Sequence, residues 1–286
     1  MQSFRFPPTE FLLIRAGIAG LLLVVSSVHG ALARPAGVPV LIYHEIVTDN
    51  RPAGETVIHI EQFLEQMKWL HDHHYTTLSI SELAEILLGN AVAPDNPVVL
   101  TFDDGWRSGL LAVPVLEQYK FKATFLIIAG PKGIGDPYLT WDEILKLDQH
   151  PLFKVESHTF SHPWDRSDNL VTWVDGRTKG KGPDAAYFEL SESKRLLEEH
   201  LNRPIRVLAW PCGWYNDTLV ALAKEAGYTA LLSAVGGLNV RGAGLDHINR
   251  TFIDGACPLT TFEETLQDGR YRVCQVTSSP TLGHLP

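Results

Sequence analysis

One run constrains this chain more than any other. Val98-Val99-Leu100-Thr101-Phe102, preceded by Pro97, ends at Asp103-Asp104-Gly105. An apolar, β-branched run of this length reads as a strand buried on both faces. Two adjacent carboxylates at its mouth repel one another, and burial disfavours their charged forms, so a cation or hydrogen-bond donors must stabilise them. A metal would do so. Gly105 lets the chain turn sharply with no side chain in the way. The plainer alternative is that Asp103 or Asp104 caps a helix starting near Arg107.

The same alternation recurs along the chain. Strands are expected at 38–43, 75–78, 97–102, 123–128, 153–156, 205–210, 228–233 and 247–253. Between them, helical spacing runs over 60–70, 81–88 (with a serine cap at Ser81), 110–119, 140–147 (capped by Thr140), 187–201 and 216–226. Such alternation implies a parallel sheet, open or closed. His44, the Asp103-Asp104 pair, His158 and the Pro211-Cys212-Gly213 turn each follow the C-terminal end of a separate strand. In a closed barrel those ends converge on the face where active sites sit, which favours a closed, single-domain α/β fold.

Residues 1–33 read as an export signal: Arg5 and Arg15 are basic, 16–28 is apolar, and Ala31-Leu32-Ala33 is a small-x-small cleavage site. The apolar run is short against the ~20 residues that span a bilayer, so no stable span is expected after cleavage. The remaining domain, 34–286, would be periplasmic or extracellular. A net charge of −9 disfavours nucleic acid as a partner. With three cysteines in an exported chain at least one is unpaired; of the three possible pairings, Cys257–Cys274 would leave Cys212 free. The stretch 163–186, polar and Gly-rich with Trp164 and Trp173, reads as a long loop, either a lid or sugar subsites on one hand or a solvated cover on the other. His71, His73 and His74 read as a solvated helix end.

His158 and His162 are four apart, the spacing of two imidazoles on one face of a helical turn. Joined by a carboxylate from another strand end, they make two nitrogens and one oxygen with a coordination position left open, the layout of a catalytic zinc-type site. Water bound to such a metal becomes acidic near neutrality, and a carboxylate that does not bind the metal can take its proton. The residues therefore point to metal-assisted hydrolysis.

Thr101-Phe102-Asp103-Asp104-Gly105 with Ser157-His158-Thr159-Phe160-Ser161-His162 resembles the polysaccharide deacetylase family, also called the NodB-homology or carbohydrate esterase 4 family. Pro39 to His44, Leu139-Thr140-Trp141 and Trp210-Pro211-Cys212-Gly213 agree, so the resemblance runs from about Pro39 to Ile253. It implies a distorted (β/α) barrel of about seven strands that removes acetyl groups from an N-acetylated polysaccharide: poly-N-acetylglucosamine, a chitin-like polymer or the peptidoglycan glycan. It implies Asp103 as base and Asp104, His158 and His162 as ligands of a divalent metal, zinc first, with cobalt or nickel as alternatives. The 210–213 loop would line the site, with the Cys212 N–H facing the oxyanion. In permuted members, including the poly-N-acetylglucosamine deacetylases, the general acid is the histidine matched by His44.

This chain departs from the family at three positions. Ala209 stands where an arginine is usual, leaving Arg250 as the candidate to orient Asp103. Cys212 replaces an aromatic residue, and Glu156 replaces a glycine, which would stand a charged group beside His158. Leu282-Gly283-His284 superficially matches the family's late Leu-x-His but lies too near the end to be preferred over His44. An O-acetyl polysaccharide esterase would use the same site, and a carbohydrate-binding protein without activity is the rival from another class.

Overall fold

The computed structural model describes residues 37–274. The expected leader at 1–33 and Leu282-Gly283-His284 lie outside the described residues. The elements run β1 (Val40–Tyr43), β2 (Glu45–Val47), β3 (Val57–His59), α1 (Ile60–Asp72), β4 (Thr76–Leu78), α2 (Ile80–Leu88), β5 (Pro97–Phe102), α3 (Val113–Tyr119), β6 (Ala123–Ile127), α4 (Trp141–Gln149) and β7 (Phe153–Ser157). They continue with β8 (Trp164–Asp165), β9 (Asp168–Asn169), α5 (Leu170–Val174), α6 (Pro183–Leu201), β10 (Val207–Ala209), α7 (Asp217–Glu225), β11 (Ala230–Leu232), β12 (Thr251–Phe252) and α8 (Leu259–Asp268).

The main sheet is curled and parallel, in the order β11-β10-β7-β6-β5-β1-β12. Val99 pairs with both Val40 of β1 and Leu78 of β4, so β4 lies on the flank of β5 that β6 takes over further along. All six residues of β5 and all five of β6 are buried, because helices cover one face of the sheet and the barrel interior fills the other. Alternation sorts them. Leu41, Leu100, Phe125 and Val155 pack under the helices, while Val40, Val99, Leu126 and Val207 share a second core with Ile80, Leu83 and Leu87 of α2. A helix thus completes the interior that the short strands leave open.

The segment 245–253 joins the two edges of the sheet. Its first half bonds to β11, where Leu231 N–H donates to Leu245 O and Ile248 N–H to Leu231 O. Its second half, β12, pairs with Leu41 and Ile42 of β1. One regular strand over 247–253 was expected. A segment that changes partner midway cannot keep one ladder, so only Thr251–Phe252 is regular and Arg250 sits at the changeover.

Other local expectations need similar correction. α2 is capped by Ser79, not Ser81: the Ser79 hydroxyl accepts from Glu82 N–H while the Glu82 carboxylate accepts from Ser79 N–H. Residues 107–112 form a 3-10 turn, and α3 begins only at Val113, next to Pro114. The stretch 163–186 is not an open loop, since it holds the β8–β9 hairpin, α5 and the start of α6. Its Trp173 is 3% exposed, a core residue, whereas Trp164 is 66% exposed. Cys257 and Cys274 are disulfide-bonded, and Cys212 is free. No described helix is long and apolar enough to cross a membrane.

Candidate metal and active site

Asp103 continues the ladder for one residue past β5, its N–H donating to Tyr43 O at 2.8 Å. Asp104 and Gly105 then take φ of +69° and +79° and reverse the chain. A Cβ on Gly105 would press only on the tip of Ile127, whose Cδ1 lies 2.9 Å away and can swing aside, so glycine is needed for conformation rather than for space. An aspartate held in the left-handed region is costly, and such strain persists where surrounding structure fixes it, commonly at functional sites. Thr159, His162 and Cys212, on two other loops of the same face, also have positive φ.

The His158–His162 spacing does not work through a helical turn. Thr159 and His162, at φ +69° and +51°, cannot propagate a right-handed helix. A loop instead brings the two rings to a centroid separation of 4.6 Å. His162 N–H donates to Thr159 Oγ1 at 3.2 Å. The buried Glu189 of α6 clamps the loop from behind, its two carboxylate oxygens accepting from Ser161 N–H at 2.7 Å and Ser161 Oγ–H at 2.6 Å. Sequence reading missed Glu189; a carboxylate on the buried face of an expected helix was the available signal.

His158 Nδ1 lies 2.9 Å from Ala209 O. A carbonyl only accepts, so Nδ1 carries a proton, and in the neutral ring Nε2 presents a lone pair. That lone pair is 3.4 Å from Asp104 Oδ1 and 3.6 Å from Asp103 Oδ2, and His162 Nε2 is 3.6 Å from Asp104 Oδ1. Burial, with His158 adding, pushes His162 down to about 4, so its ring is neutral at neutral pH. Asp104 Oδ2 accepts from Trp106 Nε1 at 3.0 Å, but buried Oδ1 has no hydrogen-bond partner. Acceptors therefore face an acceptor. The ligand atoms of Asp104, His158 and His162 all lie within 4.8 Å of one another, a spacing one cation can bridge.

Asp103 is held differently. Arg250 donates to its two oxygens at 2.7 and 2.9 Å, to Thr101 Oγ1 at 3.2 Å and to Ser233 O at 2.9 Å. Burial raises the Asp103 carboxyl, but Arg250, with His158 and His44 adding, outweighs it and holds the group at about 2. Ala209, where the resemblance implies an arginine, is a buried core residue that offers its backbone carbonyl to His158. Glu156 does not crowd His158 either. Its carboxylate turns to Arg203 and to the N–H groups of Arg206 and Val207, and burial raises its pKa against those partners.

His44, Asp103, Asp104, His158, His162 and Cys212 line one cavity of about 670 Å³, together with Trp210, Gly213 and Arg250. His44 stacks on Phe252 with ring planes 3° apart, and its buried Nδ1 has no partner. Trp210 is 1% exposed, and its Nε1 is also unpartnered. Pro211 is buried and does not line the cavity, which makes it a shaper of the loop rather than a contact. Gly213, at φ +71°, has Ala234 N within 2.4 Å of where a Cβ would be.

Residues 90–231 match the family model for polysaccharide deacetylase. The Bacillus subtilis protein YxkH, itself named after the polysaccharide deacetylases, is 29% identical over 219 residues, 76% of this chain and 71% of YxkH. The poly-beta-1,6-N-acetyl-D-glucosamine N-deacetylase of Escherichia coli K12 is 25% identical over 235 residues, 71% of this chain but only 34% of that protein's length. Among solved structures, the Streptococcus pyogenes deacetylase PplD in complex with acetate is 27% identical with a TM-score of 0.69, covering 81% of this chain and 99% of that one.

Proposed function

The chain belongs to the polysaccharide deacetylase family, and from that premise we propose that it is a metal-dependent hydrolase removing N-acetyl groups from an N-acetylhexosamine-containing polysaccharide. Poly-β-1,6-N-acetylglucosamine is the first polymer to try, on the strength of the E. coli relative's name, followed by chitin-like and peptidoglycan glycans. The observation that carries the metal is the buried, unpartnered Asp104 Oδ1 lying 3.4 and 3.6 Å from two imidazole nitrogens.

Asp104, His158 and His162 are the proposed ligands. A divalent metal there, zinc first and cobalt or nickel as alternatives, would polarise the acetamide carbonyl and make a water acidic near neutrality. Asp103, ionised at neutral pH, takes the proton of the attacking water. Arg250 keeps both carboxylate oxygens aimed, at a cost in basicity, so orientation is the larger part of what Asp103 contributes. The Cys212 N–H steadies the negative oxygen of the tetrahedral species, whose site Trp210, Pro211 and Gly213 shape. His44 gives a proton to the amine nitrogen as the C–N bond breaks, leaving acetate and a free amine. The protein is expected to act after export, with residues 1–33 as leader and 34–286 as the working domain; the Cys257–Cys274 bond suits an oxidising compartment.

Asp103→Asn separates these roles. The expected result is loss of acetate release from N-acetylglucosamine oligomers with one metal per chain retained, as measured by elemental analysis. Loss of the metal would instead make Asp103 a ligand.

A further inference from the structure

His44 is aimed by a neighbouring ring. An imidazole with a chemical task is usually oriented by a hydrogen bond at its second nitrogen, as His158 is by Ala209 O at 2.9 Å. His44 Nδ1 is buried and has no such partner. Its ring lies instead against Phe252, parallel to within 3° at a centroid separation of 5.7 Å. Stacking of this kind fixes the plane of a ring where no hydrogen bond does. Phe252 ends β12, directly across the ladder from Ile42 and beside the strand that leads into His44.

β12 is only two residues long and lies at the end of the main sheet. So short an edge strand holds a side chain firmly only when something backs it. The backing comes from the chain's return. After α8, Gly269 O accepts from the Thr251 hydroxyl and, at 2.7 Å, from Gly237 N–H, and Tyr271 brings its ring to 5.5 Å from that of Phe252. Residues 269–274 belong to no helix or strand, so their own backbone ladder does not hold them. Their far end is fastened twice. Cys274 N–H donates to the buried Asp254 carboxylate at 3.2 Å, and Cys274 is disulfide-bonded to Cys257, 17 residues earlier and on the other side of α8.

We propose that this disulfide-tied segment positions the acid of the reaction: Cys257–Cys274 seats Tyr271 on Phe252, and Phe252 holds the His44 imidazole at the angle that proton delivery to the leaving nitrogen needs. Phe252 and Tyr271 are thus positioning residues that act through His44. This rests on the deacetylase reading above, in which His44 is the acid, and the test keeps the two apart.

The full-length protein supplied with zinc is assayed on N-acetylglucosamine pentamer and on p-nitrophenyl acetate. The sugar amine must take a proton as it leaves, whereas nitrophenolate leaves without one. In parallel, the carbon-bound ring protons of His44, assigned by their loss in His44→Gln, are followed by NMR at one fixed pH. Tyr271→Ala, and separately Cys257→Ala with Cys274→Ala, are expected to lower kcat on the pentamer about tenfold relative to the ester, with KM and zinc content unchanged, and to move the His44 signals. Phe252→Leu should do the same more strongly, and Tyr271→Phe, which keeps the ring, should behave as wild type. If the double cysteine variant fails to fold, Tyr271→Ala, with its disulfide intact, decides the outcome. Equal loss on both substrates, or unchanged His44 signals and pentamer rates in Tyr271→Ala and Phe252→Leu, would overturn the proposal. His44 signals that move in these variants, in a protein that releases acetate from neither substrate, would uphold the stack and overturn the deacetylase reading instead.

Discussion

Arg250 and Asp103, 147 residues apart in the chain, meet inside the barrel through two hydrogen bonds of 2.7 and 2.9 Å. They are 1% and 4% exposed, so neither charge has water to fall back on. The pair is made by topology. Asp103 is the first residue past β5, and Arg250 sits where the closing segment leaves β11 for β1. A buried pair of this kind adds little against an apolar replacement, but each member depends heavily on the other.

Removing one member should therefore cost more than removing both. Arg250→Leu is expected to lower stability in urea by about 3–5 kcal/mol, because it strands the Asp103 charge. Arg250→Leu with Asp103→Leu should recover much of that loss while remaining inactive. If the double variant loses the sum of the single costs, the pair is not coupled.

Glu189 touches no ligand atom, yet it holds the turn that joins His158 to His162. Glu189→Ala is expected to weaken metal binding by about 10–100-fold, the usual effect of losing a group that supports a ligand. Competition with a chromogenic chelator measures this. A changed visible spectrum of the cobalt-loaded protein would place the effect at the ligands, and wild-type affinity would show that the loop holds itself.

Acid should act through Asp148. Burial raises its carboxyl, but Arg203 and the Val155 N–H more than offset this and hold it below the ordinary range. A depressed folded-state pKa contributes stability that is present above the unfolded value of about 4 and is lost as pH falls through the folded value. Urea melts of Asp148→Asn between pH 2.5 and 7 should show a flatter acid limb than wild type. Glu156, shifted upward, has the opposite sign, costing stability as pH rises through its unfolded value toward its folded one.

The sequence carried much of this. Strands buried on both faces announce themselves by composition, so β1, β5 and β6 were legible, and with them the residues at their ends. The capping serine was displaced by two because Ser79 and Ser81 both precede the apolar spacing, and only the reach of the Glu82 side chain distinguishes them. The histidine spacing was right for proximity and wrong for mechanism, since period four cannot tell a helix from a loop with two left-handed residues. Trp164 and Trp173 looked alike in sequence. Whether a tryptophan is buried or faces solvent depends on the element that carries it, a two-residue hairpin strand for Trp164 and the short helix α5 for Trp173, and neither element is signalled by the sequence. Glu189 was missed because its partner, Ser161, comes from a distant loop, which left its place on the buried face of a helix as the signal.

The central claim is metal-dependent release of acetate. Acetate should be measured from poly-β-1,6-N-acetylglucosamine oligomers with the purified protein as isolated, after chelation to less than about a tenth of a metal per chain, and after adding back zinc, cobalt or nickel. Release is expected to disappear on chelation and to return with metal. Full activity in the verified metal-free protein would contradict it.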